Sequence, residues 1–195
     1  YIMAGYIGGK AVNLSTSGAD ITGTANLDVI DVDGAANFAA DVTFADGADI
    51  ITASAGTSNF RAGVNAGNSI QSGGNYNVAV GDEAGTAITT GDQNVLIGYG
   101  AGVAITTASD NTAVGYNNFA NNTSGASNVA LGSRSMQANT EGASNVAVGF
   151  QSLTTDTLGS RAVAVGQGAL SSQNFTSATN SYNVGIGYET GGAIT

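Results

Sequence analysis

Short apolar runs recur along the chain from about residue 75 onward, and each but one lies between an asparagine and a glycine. In the first of them, residues 77–81, the order is Asn-Val-Ala-Val-Gly. Such runs carry the β-branched residues typical of strands, and no apolar spacing of three or four residues marks an amphipathic helix beside them. The pattern therefore predicts a series of short strands, each ended by a glycine.

The runs return with a fixed period. The motif begins at Asn77, Asn94, Asn111, Asn128, Asn145, Ala162 and Asn183, and it ends at Gly81, Gly98, Gly115, Gly132, Gly149, Gly166 and Gly187. The first six copies follow one another with a constant 17-residue period, and the seventh begins four positions late. A fixed period of this length is typical of stacked repeats, so the sequence predicts a parallel β-solenoid with 17-residue turns and a loop that absorbs four inserted residues around 175–180.

Both faces of the predicted strands are apolar. Large side chains point one way, and Ala or Gly points the other way, so neither face suits water and each strand should lie between two layers. Because 17 residues at about 3.3 Å give a perimeter of at most roughly 56 Å, we expect little interior and a core that depends on several coils lying side by side. The residues expected between coils are Val78, Val80, Val95, Ile97, Val114, Val129, Leu131, Val146, Val148, Val163, Val165, Val184 and Ile186.

A second strand is expected after each motif glycine, followed by a turn. Small residues stand three positions after the glycine, and larger apolar residues stand four positions after it. These residues are Ala101, Ser135, Ser152 and Ala169 at the third position, with Phe119, Met136, Leu153 and Leu170 at the fourth. The segments that follow, such as 122–125 and 139–142, are rich in Asn, Thr and Gly, which reverse the chain easily.

Composition narrows the function classes. With 14 acidic against 4 basic residues, the net charge of −10 opposes binding to nucleic acid, whose phosphates need Lys and Arg partners. No apolar run approaches the roughly 20 residues that a membrane span requires, so we expect no membrane insertion. The chain has no Cys and no His. We therefore predict a non-enzymatic protein without a metal or a cofactor.

Each candidate site has a simpler structural explanation. Asp28, Asp31 and Asp33 suggest calcium, but no terminal Glu of an EF-hand loop follows them, so solvated turn carboxylates are expected. Asp82 and Glu83 are the only adjacent acid pair, and no second acid recurs at the same place in other repeats to form a catalytic set.

Three sets of repeated side chains could serve either contact with other molecules or packing between turns. Tyr99, Tyr116, Phe150 and Tyr188 each follow a motif glycine, as a ladder that packs between turns or as a surface for glycans and proteins. The motif asparagines are expected to stack as a ladder at the corners of the turns. Threonine pairs at 89–90, 106–107 and 154–155 are the only hint of an ice-binding face.

The Asn-Val-Ala-Val-Gly repeats from about residue 75 to residue 195 resemble the head repeats of trimeric autotransporter adhesins of the YadA type. Similar repeats occur in bacteriophage tail fibres, those of marine phages especially. The resemblance implies a left-handed parallel β-roll and an intertwined homotrimer in which the valine-bearing strands of three chains face the axis. The period is longer than in the adhesins and no membrane anchor is visible, which favours a phage fibre over the alternative, a bacterial cell-surface adhesin.

Residues 1–74 lack the 17-residue period and are rich in Asp and Ala, as in the segments 26–34 and 40–47. We interpret them as a shaft or attachment region of short strands, and residues 75–195 as the repeat β-roll. By resemblance, the first region would join other virion proteins, and the fibre would project a tip that meets a host receptor, glycan or protein. A monomeric ice-binding solenoid is the remote alternative.

Overall fold

The computed structural model describes residues 54–192, and this part of the chain is all β, without a helix. It forms a parallel β-solenoid of about seven turns. The strands are β1 (Phe60–Ala62), β2 (Val78–Val80), β3 (Val95–Ile97), β4 (Thr112–Val114), β5 (Val129–Leu131), β6 (Val146–Val148), β7 (Gly159–Ser160), β8 (Val163–Val165), β9 (Thr179–Asn180) and β10 (Val184–Ile186). Eight of them form one parallel sheet in the order β1-β2-β3-β4-β5-β6-β8-β10, and β7 pairs with β9.

The register confirms the predicted 17-residue turn. Val78 of β2 pairs with Val95 of β3, and Val163 pairs with Val184 across the one longer turn. Hydrogen bonds between turns follow the same spacing: the backbone N–H of Gly98 donates to the carbonyl oxygen of Val80 at 2.8 Å. We call each turn a rung and number its positions from the motif asparagine, so that the strand occupies positions 2 to 4 and the glycine position 5.

The sheet begins before residue 75, where the repeat was predicted to start. Strand β1 pairs in parallel with β2, with Phe60 opposite Val78. Its rung opens with Asn59 and closes its strand with Gly63, whose φ of 134° matches the other motif glycines. All described residues belong to one compact unit. The predicted shaft at 1–74 lies mostly outside the described residues.

The prediction of a second strand after each motif glycine is wrong, because the structure has a turn there. The fourth residue after the glycine instead has a left-handed backbone, with φ of 53° at Phe119, 48° at Met136 and 49° at Leu153. A left-handed residue bends the chain sharply, so these segments are turns that close the rung and point the large side chain inward. Position 7 and the last residue of each rung are left-handed in the same way, as at Arg134 and Ser144.

Each rung encloses its own core, contrary to the expectation that the interior is too small. The middle residue of each strand from β2 to β6, and of β8, points inward, and Ala79, Leu96 and Ala113 are fully buried. Turn residues fill the remaining space. The larger buried side chains are Ile70, Ile88, Leu96, Ile105, Phe119, Met136, Leu153 and Leu170.

The side chains at positions 9 and 12 of the rungs vary together: where one is large and apolar, the other is not. In the first three rungs position 9 is glycine and position 12 is isoleucine, as in the pair Gly85 and Ile88. A Cβ atom added to Gly85 would lie 2.7 Å from Cδ1 of Leu96 and 2.8 Å from Cδ1 of Ile88, so the isoleucine and the leucine of the next strand together occupy the space that the glycine leaves. In the next four rungs position 9 carries a buried Phe, Met or Leu. Position 12 of those rungs is the buried polar residue Asn122, Asn139, Asp156 or Gln173.

The motif glycines are required where rungs touch. Gly115 has a φ of 142°, and an added Cβ would lie 2.6 Å from the carbonyl oxygen of Gly132 in the next rung. Only glycine combines this backbone conformation with such close approach of another backbone. The glycine column therefore allows the rungs to stack directly on one another at this corner.

Candidate functional site

The outer face of the eight-stranded sheet presents regular rows of apolar side chains. Strand residues at positions 2 and 4 point outward and are half-buried, because each is flanked by its counterparts in the rungs above and below. The last strand shows the effect: Val184 and Ile186 of β10 are 65% and 67% exposed. All the side chains predicted to lie between coils belong to this face, and Thr112 is its one polar member in β2 to β8.

Aromatic side chains border this face but form no continuous ladder. Tyr99 and Tyr116 stack with ring centres 5.6 Å apart and an angle of 15° between their planes. Phe150 is separated from this pair by Ser133. At Tyr188 the pKa is raised, because the hydroxyl donates a hydrogen bond to Glu189 and the carboxylate charge opposes a phenolate.

The motif asparagines form the predicted ladder. The backbone N–H of Asn94 donates to Oδ1 of Asn77 at 3.0 Å, and that of Asn111 donates to Oδ1 of Asn94 at 3.1 Å. The amide of Asn94 also donates to the carbonyl oxygen of Ala108 in its own rung. These side chains are buried. The column therefore links successive rungs from inside and is closed to a ligand.

The ladder is interrupted where Ala162 replaces asparagine. Its backbone N–H still donates to Oδ1 of Asn145 at 2.8 Å, but it offers no acceptor to the next rung. There Asn183 instead donates from Nδ2 to Oε1 of Gln173 at 2.8 Å, and Gln173 donates from Nε2 to Oδ2 of the buried Asp156. A second polar network thus takes over in the rung that carries the insertion.

The candidate acid sites gain no support as ligand sites. Glu83 accepts hydrogen bonds from Asn65 at 2.9 Å and from Thr86 at 3.1 Å, which is a turn-stabilising role. Asp82 is exposed beside it. Asp28, Asp31 and Asp33 lie outside the described residues. Within 54–192, no group of three acidic, His or Cys side chains is placed to hold a metal ion.

The threonine pairs do not line up. Thr89 and Thr106 occupy position 13, where each hydroxyl donates to the carbonyl oxygen of the next rung, at 3.0 and 3.2 Å. Thr154 and Thr155 occupy positions 10 and 11 instead. The described rungs therefore present no regular array of free threonine pairs.

The four inserted residues form a loop, as predicted. The loop lies between Gln173 and β9, and its tip residues Thr176, Ser177 and Ala178 are exposed. Strand β9 ends it by pairing Thr179 with Gly159 of β7. Sequence reasoning located this loop but missed what holds it, which is the buried carboxylate of Asp156.

Among the described residues there is no helix of a length and apolarity that would cross a membrane. Comparison with known proteins adds no identification, because no family model, no curated protein and no solved structure matches the chain.

Proposed function

We propose that the chain is a structural and adhesive segment of a virion fibre, a bacteriophage tail fibre or capsid fibre, that works as a homotrimer. The outer apolar sheet face supports this most directly. It is built from the same two positions of every rung, and no segment among residues 54–192 covers it. An uncovered apolar face of this extent is typical of a surface that packs against another protein.

A trimer would bury this face and stiffen the rod. Seven steps of about 4.8 Å carry the sheet through roughly 34 Å, and the identical rung period would let valines of three chains meet at the same height. The YadA-type resemblance supports this arrangement. In it, the valine faces of three chains meet at one axis, while the aromatic border and the rung corners remain outside.

The activity that we propose is contact with other molecules and not catalysis. Glu83 and Asp156 make hydrogen bonds within a turn and at the base of the loop, which supports a structural role for these carboxylates. We infer no need for a cofactor. The region before the solenoid would attach to other virion proteins, and the fibre would hold a receptor-binding tip away from the particle.

Immunogold labelling would test the location. Antibodies against the purified chain should label fibres on density-banded virus particles from the source material, and electron microscopy would show where the gold lies. Label confined to cell envelopes would favour the second candidate, a bacterial cell-surface adhesin, over the virion fibre. The same apolar face and the same resemblance support that candidate. Label on neither structure would contradict both.

A further inference from the structure

One rung departs from the regular outline of the described solenoid. It runs from Ala162 to Tyr182 and is four residues longer than each of the five preceding rungs. The extra residues lie in the loop 174–178, at the corner of the rung that precedes β10. Because the sheet keeps its register on both sides of the loop, the insertion alters the surface and leaves the core intact.

The base of this loop is held firmly. Oδ1 of Asp156 accepts hydrogen bonds from the backbone N–H groups of Gly159 and Phe175, both at 3.0 Å. The carbonyl oxygen of Phe175 accepts from the Thr157 hydroxyl at 3.0 Å and from the Leu158 N–H at 3.1 Å. A loop anchored in this way loses little conformational freedom on binding a ligand, which favours affinity.

This anchoring explains why an aspartate stands at position 156. The equivalent residue in the two preceding rungs is the neutral Asn122 or Asn139, which faces a turn without an insertion. Asp156 is fully buried, and burying a carboxylate is costly unless it is well hydrogen-bonded. Its acceptor capacity is used on Gly159, Phe175 and Gln173, so the residue serves to position the loop.

An exposed aromatic ring follows the loop in the same rung. Tyr182 lies two residues after β9 and is 65% exposed. Cζ of Arg161 lies 5.7 Å from the ring centre, and its Nη1 donates to the tyrosine hydroxyl at 3.1 Å. The neighbouring Ser181 is tied to Ser160 through its N–H at 2.9 Å and its hydroxyl at 3.1 Å. The ring is thus held in position while most of it remains accessible.

The chemistry of this corner suits a sugar. The loop offers the exposed side chains of Asn174, Thr176 and Ser177, and Asn180 of β9 is exposed after it. The guanidinium of Arg161 is engaged with the hydroxyl of Tyr182. Hydroxyl and amide groups next to an aromatic face can hydrogen-bond sugar hydroxyls and pack against the apolar side of a pyranose ring. The net charge of −10 opposes an acidic polysaccharide.

We propose that loop 174–178 and Tyr182 form a binding site for an uncharged glycan of the host surface. This inference rests on the proposed adhesive function and names its ligand class and its site. The aromatic ring would provide the stacking surface, and the loop side chains would provide the hydrogen bonds that select among sugars. Arg161 and Asp156 would position the two halves of the site.

Binding of the whole chain to immobilised neutral polysaccharides would test the site. A panel of dextran, mannan, β-glucan, galactan and neutral O-chain polysaccharides would be compared with acidic alginate by biolayer interferometry. We expect at least one neutral polymer to bind. Tyr182→Ala should weaken that binding at least tenfold, and deletion of residues 176–179, which restores a 17-residue rung, should abolish it.

Two controls separate loss of the site from loss of the fold. Tyr76 occupies the equivalent corner of the first described rung and is 59% exposed, without a comparable loop beside it, so Tyr76→Ala should leave binding within twofold. Circular dichroism melts should show the variants folded. The proposal is overturned if no neutral polymer binds, if alginate binds in preference, or if the Tyr182 variant and the deletion both bind within twofold of the original chain. None of these results would change the mass of a trimer or its gold labelling, so the fibre proposal is tested separately.

Discussion

Replacing Gly115 by alanine is expected to destabilise the solenoid by more than about 3 kcal/mol, enough to threaten folding of a marginally stable chain. Two costs add at this position. The φ of 142° is one that a residue with a Cβ rarely adopts, which alone costs roughly 1–3 kcal/mol. The new Cβ would also lie 2.6 Å from the Gly132 carbonyl oxygen and 2.7 Å from its carbonyl carbon, so two rungs would have to separate.

Gly73→Ala provides a graded control for this prediction. Gly73 has a φ of 108°, but the nearest atom to an added Cβ is Cγ2 of Thr90, at an ordinary contact distance of 3.7 Å. This variant should therefore carry the strain of the backbone and little of the clash. Urea denaturation followed by circular dichroism would compare the two free energies of unfolding. Equal losses would show that close approach between rungs is not what selects glycine.

Met136→Gly is expected to cost about 3 kcal/mol, because it removes a fully buried side chain and leaves a cavity inside the rung. Adding Asn139→Ile to the same rung should recover part of that loss. The double variant reproduces the pair Gly85 and Ile88, in which the isoleucine fills part of the space beside the glycine and Leu96 fills the rest. The coupling energy between the two substitutions should reach about 1–3 kcal/mol, the range found for residues in direct contact.

The matched control places the isoleucine one rung away. Asn122→Ile would add an apolar side chain to a rung that already holds Phe119, so it should fail to rescue Met136→Gly and should overpack its own rung. Equilibrium unfolding of the single and double variants would complete the cycle. Equal rescue from position 122 and position 139 would contradict exchange of volume within a rung.

The strands and their period were predictable because the signal is local and repeated. Valine, isoleucine and a terminating glycine return at fixed spacing, and each copy specifies the same short strand. The first described copy escaped notice because its strand is Phe-Arg-Ala, without a valine. The signal that could have revealed it is Gly63, which stands one position further from Gly81 than the regular period requires.

The corners were not predictable from residue type. Phe119, Met136, Leu153 and Leu170 have left-handed backbones, although their side chains do not favour that conformation. Stacking against neighbouring rungs overrides the local preference, and a single turn considered alone cannot show this. The exchange between positions 9 and 12 was hidden for the same reason, since the two positions meet only when the corners are closed.

The loop of the candidate site was predictable from the sequence, but its anchor and its aromatic residue were not. The insertion around 175–180 followed from the spacing of the glycines, but its anchor at Asp156 stands in the preceding rung and resembles an ordinary turn carboxylate. Tyr182 was also inconspicuous, because it lies outside the aromatic series that follows the motif glycines. The pairings of β7 with β9 and of β8 with β10 bring Arg161 and Tyr182 to the same corner.

Sedimentation equilibrium of the purified chain, at several concentrations and without denaturant, tests the trimeric fibre most directly. A trimer that buries the outer valine face should give three times the 19.0 kDa mass of one chain, independent of concentration. A folded chain that stays at the mass of one copy across the whole range would contradict the homotrimer and would leave a single-chain solenoid with an uncovered apolar face.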